Sequence, residues 1–122
     1  MGLKSGLDLN LVYKVIRDGA GNSRMFDVRG PMMIKGNYKA ATMKVDVYQK
    51  DIDIIGAFAA RLNIPVPLFE ASKAYYSAAL SQGFAKEDTA AVCAVLEQMA
   101  GNPRQNAHKS AGKKSINKRK AK

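Results

Sequence analysis

Apolar residues recur at helical spacing from Leu9 to Met99, and glycine or proline closes each run. Leu9, Val12, Tyr13 and Ile16 follow the i, i+3, i+4, i+7 rhythm of one helix face. With Asp8 placed as an N-cap and Gly19 as a stop, the spacing predicts a helix from Leu9 to about Asp18. Ser23 caps a second, short helix carrying Met25, Phe26 and Val28, which Gly30-Pro31 is expected to interrupt. Met32, Met33 and Ile34 then form an apolar patch ahead of a Gly36-Asn37 turn, and residues 38 to 44 read as irregular. A third helix begins near Val45 or Asp46, with Val47, Ile54, Ile55, Phe58 and Leu62 in one broad stripe of the kind that faces a core, and Pro65 and Pro67 stop it. Pro67 suits the first turn of a fourth helix running to about Gln82 and ended by Gly83. Asp88 caps a fifth, in which Val92, Val95, Leu96 and Met99 keep the helical rhythm up to Gly101. No segment alternates with the period of a strand, so the expected fold is an all-α domain of about five helices.

Composition narrows the function classes. At 122 residues and 47% hydrophobic, the chain supports one domain with an ordinary core. Its longest nearly uncharged run, Ala74 to Ala85, is too short to cross hydrocarbon. MGLKSGLD has no apolar h-region, so no secretory signal is expected and cytoplasm is the default location. Cys93 is the single cysteine, which excludes an intramolecular disulfide and a thiolate zinc cluster, and among the apolar residues of TAAVCAVLEQM it reads as a small buried hydrophobe. The single histidine, His108, lies far from it in the chain, which argues against a Cys-His nucleophile or a multi-His metal site.

The net charge of +10 divides unevenly. Residues 102–122 hold eight Lys or Arg and no acid, whereas residues 1–101 carry twelve basic against ten acidic residues. The expected organisation is a helical domain over 1–101 and a basic, disordered tail over 102–122, in which Ile116 is the one large aliphatic residue. Such a tail would bind a polyanion in a salt-sensitive way, but it lacks aromatic residues to stack on bases, and the domain lacks a basic recognition helix.

Candidate chemistry centres on Lys50 and Asp51. Neighbours on a helix point about 100° apart, so spacing alone makes them a solvated lysine beside an aspartate at the edge of the core. Lys73, on the following helix, also reads as solvated. Asp46, Asp51 and Asp53, with Lys44 and Lys50 among them, do not gather hard oxygen ligands at this helical spacing, so no metal site is expected. Gly19-Ala20-Gly21-Asn22-Ser23 lacks the strand, third glycine and later acid of a dinucleotide fingerprint and reads first as a capped helix-helix turn, with substrate proximity as the other reading. Met32, Met33, Tyr75 and Tyr76 read as packing residues.

The stretch VDVYQKDIDIIGAFAARLNIPVPLFEASKAYY, with its Lys-Asp pair and Pro-Val-Pro junction, resembles the C-terminal domain of the NAD(P)-dependent β-hydroxyacid dehydrogenases. That family includes 3-hydroxyisobutyrate dehydrogenases, and the likeness is nearest to its L-threonate dehydrogenase-like branch. It extends from about Gly2 to Gly101 and implies a helical domain like the C-terminal domain of 6-phosphogluconate dehydrogenase. It implies that Lys50 contacts the cofactor, NAD or NADP, close to the nicotinamide, and that Asp51 supports the neighbouring active-site groups. Seven residues before the lysine the family often has an aromatic residue near the nicotinamide, and this chain departs from it with Met43. The family's Rossmann half and its catalytic lysine on a long interdomain helix would precede Met1. A deliberate truncation, a gene fragment or one half of a split enzyme would give this pattern, and none of them should catalyse hydride transfer alone. The implied partners are a Rossmann domain, a 3-hydroxyacid in the full enzyme, and further copies of the chain. The alternative is a small oligomeric binding module whose tail contacts nucleic acid or another polyanion.

Overall fold

In the computed structural model, which describes residues 1–102, five α-helices follow one another: α1 (Leu9–Asp18), α2 (Arg24–Lys35), α3 (Val45–Arg61), α4 (Pro67–Ser81) and α5 (Val92–Met99). A 3₁₀ turn at Thr89–Ala91 leads into α5, which therefore does not start directly at the Asp88 cap. Among the described residues there is no strand, only an isolated antiparallel bridge between Lys44 and Asp88, so the all-α expectation holds. None of these helices is long and apolar enough to cross a membrane. The basic tail expected over 102–122 lies, from residue 103 onward, outside the described residues.

Local chemistry sets most of the ends. Asp8 Oδ1 accepts from Asn10 N at 2.8 Å and Ser23 Oγ from Phe26 N at 3.0 Å, each supplying a donor of the first turn with an acceptor. Gly83 ends α4 at φ 88°, where its own N–H donates to Leu80 O and Phe84 N donates to Ala79 O, both at 3.0 Å. That paired closure needs a left-handed residue, and it turns Phe84 into the core at 2% exposure.

The expected interruption at Gly30-Pro31 does not occur, because α2 runs on to Lys35 and ends at Gly36. Pro31 lacks an N–H, which deprives the Asp27 carbonyl of its helical donor, and the Tyr13 hydroxyl lies 3.5 Å from that oxygen. Gly30 makes the approach possible. A Cβ there would lie 2.5 Å from Tyr13 Cε2, and the Tyr13 ring also packs on Phe26 with centroids 5.3 Å apart. The α1–α2 pair is thus keyed by one aromatic ring over a glycine.

Two glycine substitutions should therefore part company. Gly30→Ala is expected to lower the unfolding free energy by about 1–3 kcal/mol, since the inserted methyl would meet the Tyr13 ring at 2.5 Å and displace it from Phe26 and the Asp27 carbonyl. Gly56→Ala should change it by no more than about 1 kcal/mol, because its Cβ would meet the side-chain ends of the Lys73–Glu70 pair, whose displacement loses at most a surface ion pair, and alanine favours the helix. Urea denaturation of both variants followed by circular dichroism checks this, and equal losses would refute it.

The core is built where α4, α5 and the segment before α3 converge: Tyr38, Val45, Ala79, Phe84, Ala91 and Val95 are buried, with Met32 and Met33 packed around them. Tyr38 meets Phe84 edge to face at 6.3 Å. On α3 the buried residues are Val45, Ile52 and Ala59. The broad stripe expected to face the core instead faces outward: Ile54, Phe58 and Leu62 are each more than half exposed, with Val47 and Ile55 close behind. Small residues explain the reversal, since α3 meets α4 through a narrow seam that includes Gly56 and Ala59 and contributes little to a hydrophobicity pattern.

Candidate cofactor-contact site

The start of α3 is locked without a side-chain cap. Lys44 supplies no capping hydrogen bond, and the first free amides are taken by the chain opposite, Val45 N by Glu87 O and Asp46 N by Ala85 O, both at 3.0 Å. Asp46 also pairs with Lys86, whose hydrogen bond pulls the Asp46 carboxyl below its usual range. On this anchored helix Lys50 is exposed in the second turn, and among the described residues it forms no ion pair. Asp51 is half-buried beside it.

Met43 is placed by a group that the spacing identified only as a helix cap. The Asp88 side chain is fully buried. Its Oδ1 accepts from Arg29 Nε at 3.0 Å and Ala90 N at 2.9 Å, while Oδ2 accepts from Thr42 N and Thr42 Oγ1, both at 2.9 Å, and from Met43 N at 3.3 Å. Thr89 N donates to Met43 O at 2.9 Å, closing the clamp on the residue's backbone. Burial by itself would raise the Asp88 carboxyl, but the donors from Ala90, Thr42 and Met43 outweigh it and hold the pKa at about 2. The half-buried Met43 side chain is therefore carried on a rigid approach to α3.

No hydrogen bond or ion pair links Met43, Lys50 and Asp51 to one another among the described residues. Arg29 and Asp88 are the residues that sequence reasoning missed. They are 59 positions apart, and the only local sign was an arginine within the apolar residues of α2. Lys73 also corrects its expectation: it lies against Gly56, pairs with Glu70 at 2.7 Å and sits 5.5 Å from the Phe69 ring centroid, so it is pinned rather than solvated. Gly19 to Ser23 is a capped turn, with Asn22 N donating to Gly19 O at 3.3 Å. Tyr76 packs edge-on against Tyr48 at 4.7 Å, and burial pushes its phenol up.

A separate apolar cavity of about 280 Å³ lies between the N-terminal segment, α1, α2 and α5, walled by Val12, Tyr13, Phe26, Met33 and Cys93. Cys93 is half-buried on that wall, packed against the core as a small hydrophobe as expected though not wholly enclosed, with Sγ 3.8 Å from Glu97 Oε1. No residue of α3 lines the cavity, so it is distinct from the surroundings of Lys50.

Residues 1–96 match the family described as NAD-binding of NADP-dependent 3-hydroxyisobutyrate dehydrogenase, and the chain belongs to that family. The L-threonate dehydrogenase of Cupriavidus necator is 35% identical over 96 residues, covering 79% of this chain and 32% of the relative. That of Haemophilus influenzae is 33% identical over 93 residues, covering 76% and 31%. A crystal structure of a 3-hydroxyisobutyrate dehydrogenase from Salmonella typhimurium shares the fold at a TM-score of 0.71 and 31% identity, over 77% of this chain and 33% of that one. The chain thus spans about a third of the length of these relatives.

Proposed function

We propose that residues 1–101 form the helical half of the cofactor cleft in an NAD(P)-dependent 3-hydroxyacid dehydrogenase, of L-threonate dehydrogenase-like specificity, and that this half is inactive until a Rossmann domain joins it. The observation that carries the reading is Lys50, an exposed ammonium with no ion pair among the described residues, standing on a helix whose first turn is fixed from outside. Three N–H donors on a flexible stem suit ribose or phosphate oxygens, so the donor chemistry fits a dinucleotide. A bound dinucleotide would supply the hydride acceptor for oxidation of a 3-hydroxyacid, chemistry that the side chains of this half do not themselves provide. Lys50 binds and orients the cofactor, Asp51 supports the groups around it, and the Met43 side chain offers soft apolar surface at the approach to α3. The same half also supplies surface for self-association, since large apolar residues remain outside its core.

Reconstitution tests this. The chain mixed with, or fused to, the N-terminal half of the Cupriavidus necator relative should oxidise L-threonate with NAD, and neither half alone should do so. Turnover by the purified chain alone would overturn the reading. So would a folded fusion that binds no dinucleotide.

A further inference from the structure

Polar groups that the fold leaves unused gather where α2, α3 and α4 meet. Arg29 on α2 donates Nε–H to the buried Asp88 at 3.0 Å and Nη1–H to Met25 Sδ, a weak acceptor, at 3.6 Å. Among the described residues its other N–H groups, including both on Nη2, have no partner, and its side chain keeps 25% of its surface exposed. Tyr48 on α3 and Tyr76 on α4 meet edge to face with centroids 4.7 Å apart. Neither hydroxyl is hydrogen-bonded among the described residues, and neither is sealed from water. Burial is the main cause that pushes the Tyr76 phenol up, and Tyr48, Arg29 and Asp88 act on it too, which puts both phenols and the guanidinium in one neighbourhood. Asp88 fixes the arrangement from behind. It also accepts from the amides of Thr42, Met43 and Ala90, so its charge is shared, and the guanidinium is held in one orientation while keeping charge for an anion from outside.

We infer that Arg29, Tyr48 and Tyr76 form a subsite for a small hydroxylated carboxylate, with the end of the guanidinium fork on the carboxylate oxygens and the two phenols on hydroxyl groups of the same molecule. A flat fork with parallel N–H bonds matches a carboxylate in two places at once. A single cation, already shared with Asp88, balances one negative charge and falls short of the nearly two of a phosphate. Phenols both donate to and accept from hydroxyl groups, and the exposed Met25 adds an apolar edge. The carboxylate comes either from the 3-hydroxyacid of the proposed reaction or from another small acid. Asp88 bonds both Arg29 and the Met43 amide, so the subsite lies one carboxylate away from the approach to α3, which favours the first source. Only that attribution rests on the dehydrogenase reading, and the subsite itself uses neither Lys50 nor Asp51.

The test is an NMR titration of the whole chain at neutral pH and constant ionic strength, reading the Arg29 Nε–H and the Tyr48 and Tyr76 ring signals. L-threonate should shift all three saturably with a Kd of about 1–10 mM, and acetate should shift Arg29 about tenfold more weakly, since it has no hydroxyl for the phenols. Inorganic phosphate should bind more weakly than L-threonate. Tyr76→Phe should weaken L-threonate about 3- to 10-fold and leave acetate unchanged. Arg29→Lys keeps a cation for Asp88 but no fork, and should weaken L-threonate at least about tenfold, read on the tyrosine rings. Should that variant fail to fold, Tyr48→Phe and Tyr76→Phe carry the test, since neither hydroxyl bonds within the described residues. Shifts that never saturate, phosphate that binds as tightly as L-threonate, or phenylalanine variants that bind as wild type does would each overturn the subsite. In the reconstituted enzyme Tyr76→Phe should raise the KM for L-threonate about 3- to 10-fold and leave that for NAD unchanged. Unchanged values for both, beside a titration that behaves as expected, would make another small acid the source. A fusion that binds no dinucleotide would overturn the dehydrogenase reading and leave the titration result standing.

Discussion

Asp88→Ala should lower the unfolding free energy by about 3–5 kcal/mol, a large part of what holds a domain of this size. The loss is not that of one ion pair. Removing the carboxylate leaves Arg29 three-quarters buried without its counter-ion and strands the amides of Thr42, Met43 and Ala90 together. Asp88→Asn should be milder but still destabilising, because its amide nitrogen cannot accept from any of these donors. The pH dependence carries the same signature. The carboxyl falls from 3.8 to about 2 on folding, so the unfolded chain binds the proton more readily between those values. That difference contributes on the order of 2 kcal/mol, fully present above the unfolded pKa and lost as pH falls through the folded one. Urea titrations from pH 7 to about pH 2 check this: wild type should lose stability steeply below about pH 4, and Asp88→Ala should lack that component. An unchanged acid slope in the variant would show that Asp88 is not the linked group.

The second large effect concerns Lys50 in the reconstituted enzyme. Lys50→Ala should raise the cofactor KM, or lower kcat/KM for NAD, by about 10- to 150-fold, as expected for a charge-assisted hydrogen bond of about 1.5–3 kcal/mol to cofactor oxygens. Lys14, exposed on α1, is the proper comparison, and Lys14→Ala should change cofactor use less than about twofold. Lys73 would be a poor control, since its ion pair with Glu70 and its seat against Gly56 tie it to the α3–α4 packing. Equal effects at Lys50 and Lys14, at matched stability, would return Lys50 to a solvated helix face.

Much of the fold was legible along the chain because helix signals act within about four residues. Asp8, Ser23, Gly36 and Gly83 each sit next to the backbone groups they satisfy or turn, and their side chains or positive φ values mark the ends. Pro31 misled because its effect depends on a distant partner: a freed carbonyl usually breaks a helix, but here Tyr13 reaches it across a glycine. The α3 stripe misled for another reason. Hydrophobic periodicity weights large side chains, and the face that packs on α4 is made partly of Gly56 and Ala59. The candidate site was legible only in part: Lys50 and Asp51 stand out beside a family likeness, whereas the clamp that positions Met43 depends on Arg29 and Asp88.

By itself the sequence determined an all-α domain, most of the starts and stops of its helices, and a Lys-Asp pair early on the third one, because capping, periodicity and turn residues are local properties. Only the tertiary structure decided that α2 passes through Pro31, that the apolar stripe of α3 faces outward, and that a buried Asp88 binds Arg29, Thr42 and Met43 at once. Those outcomes are settled by which surfaces meet when helices pack, and a contact across 59 residues leaves no spacing for a single chain to display.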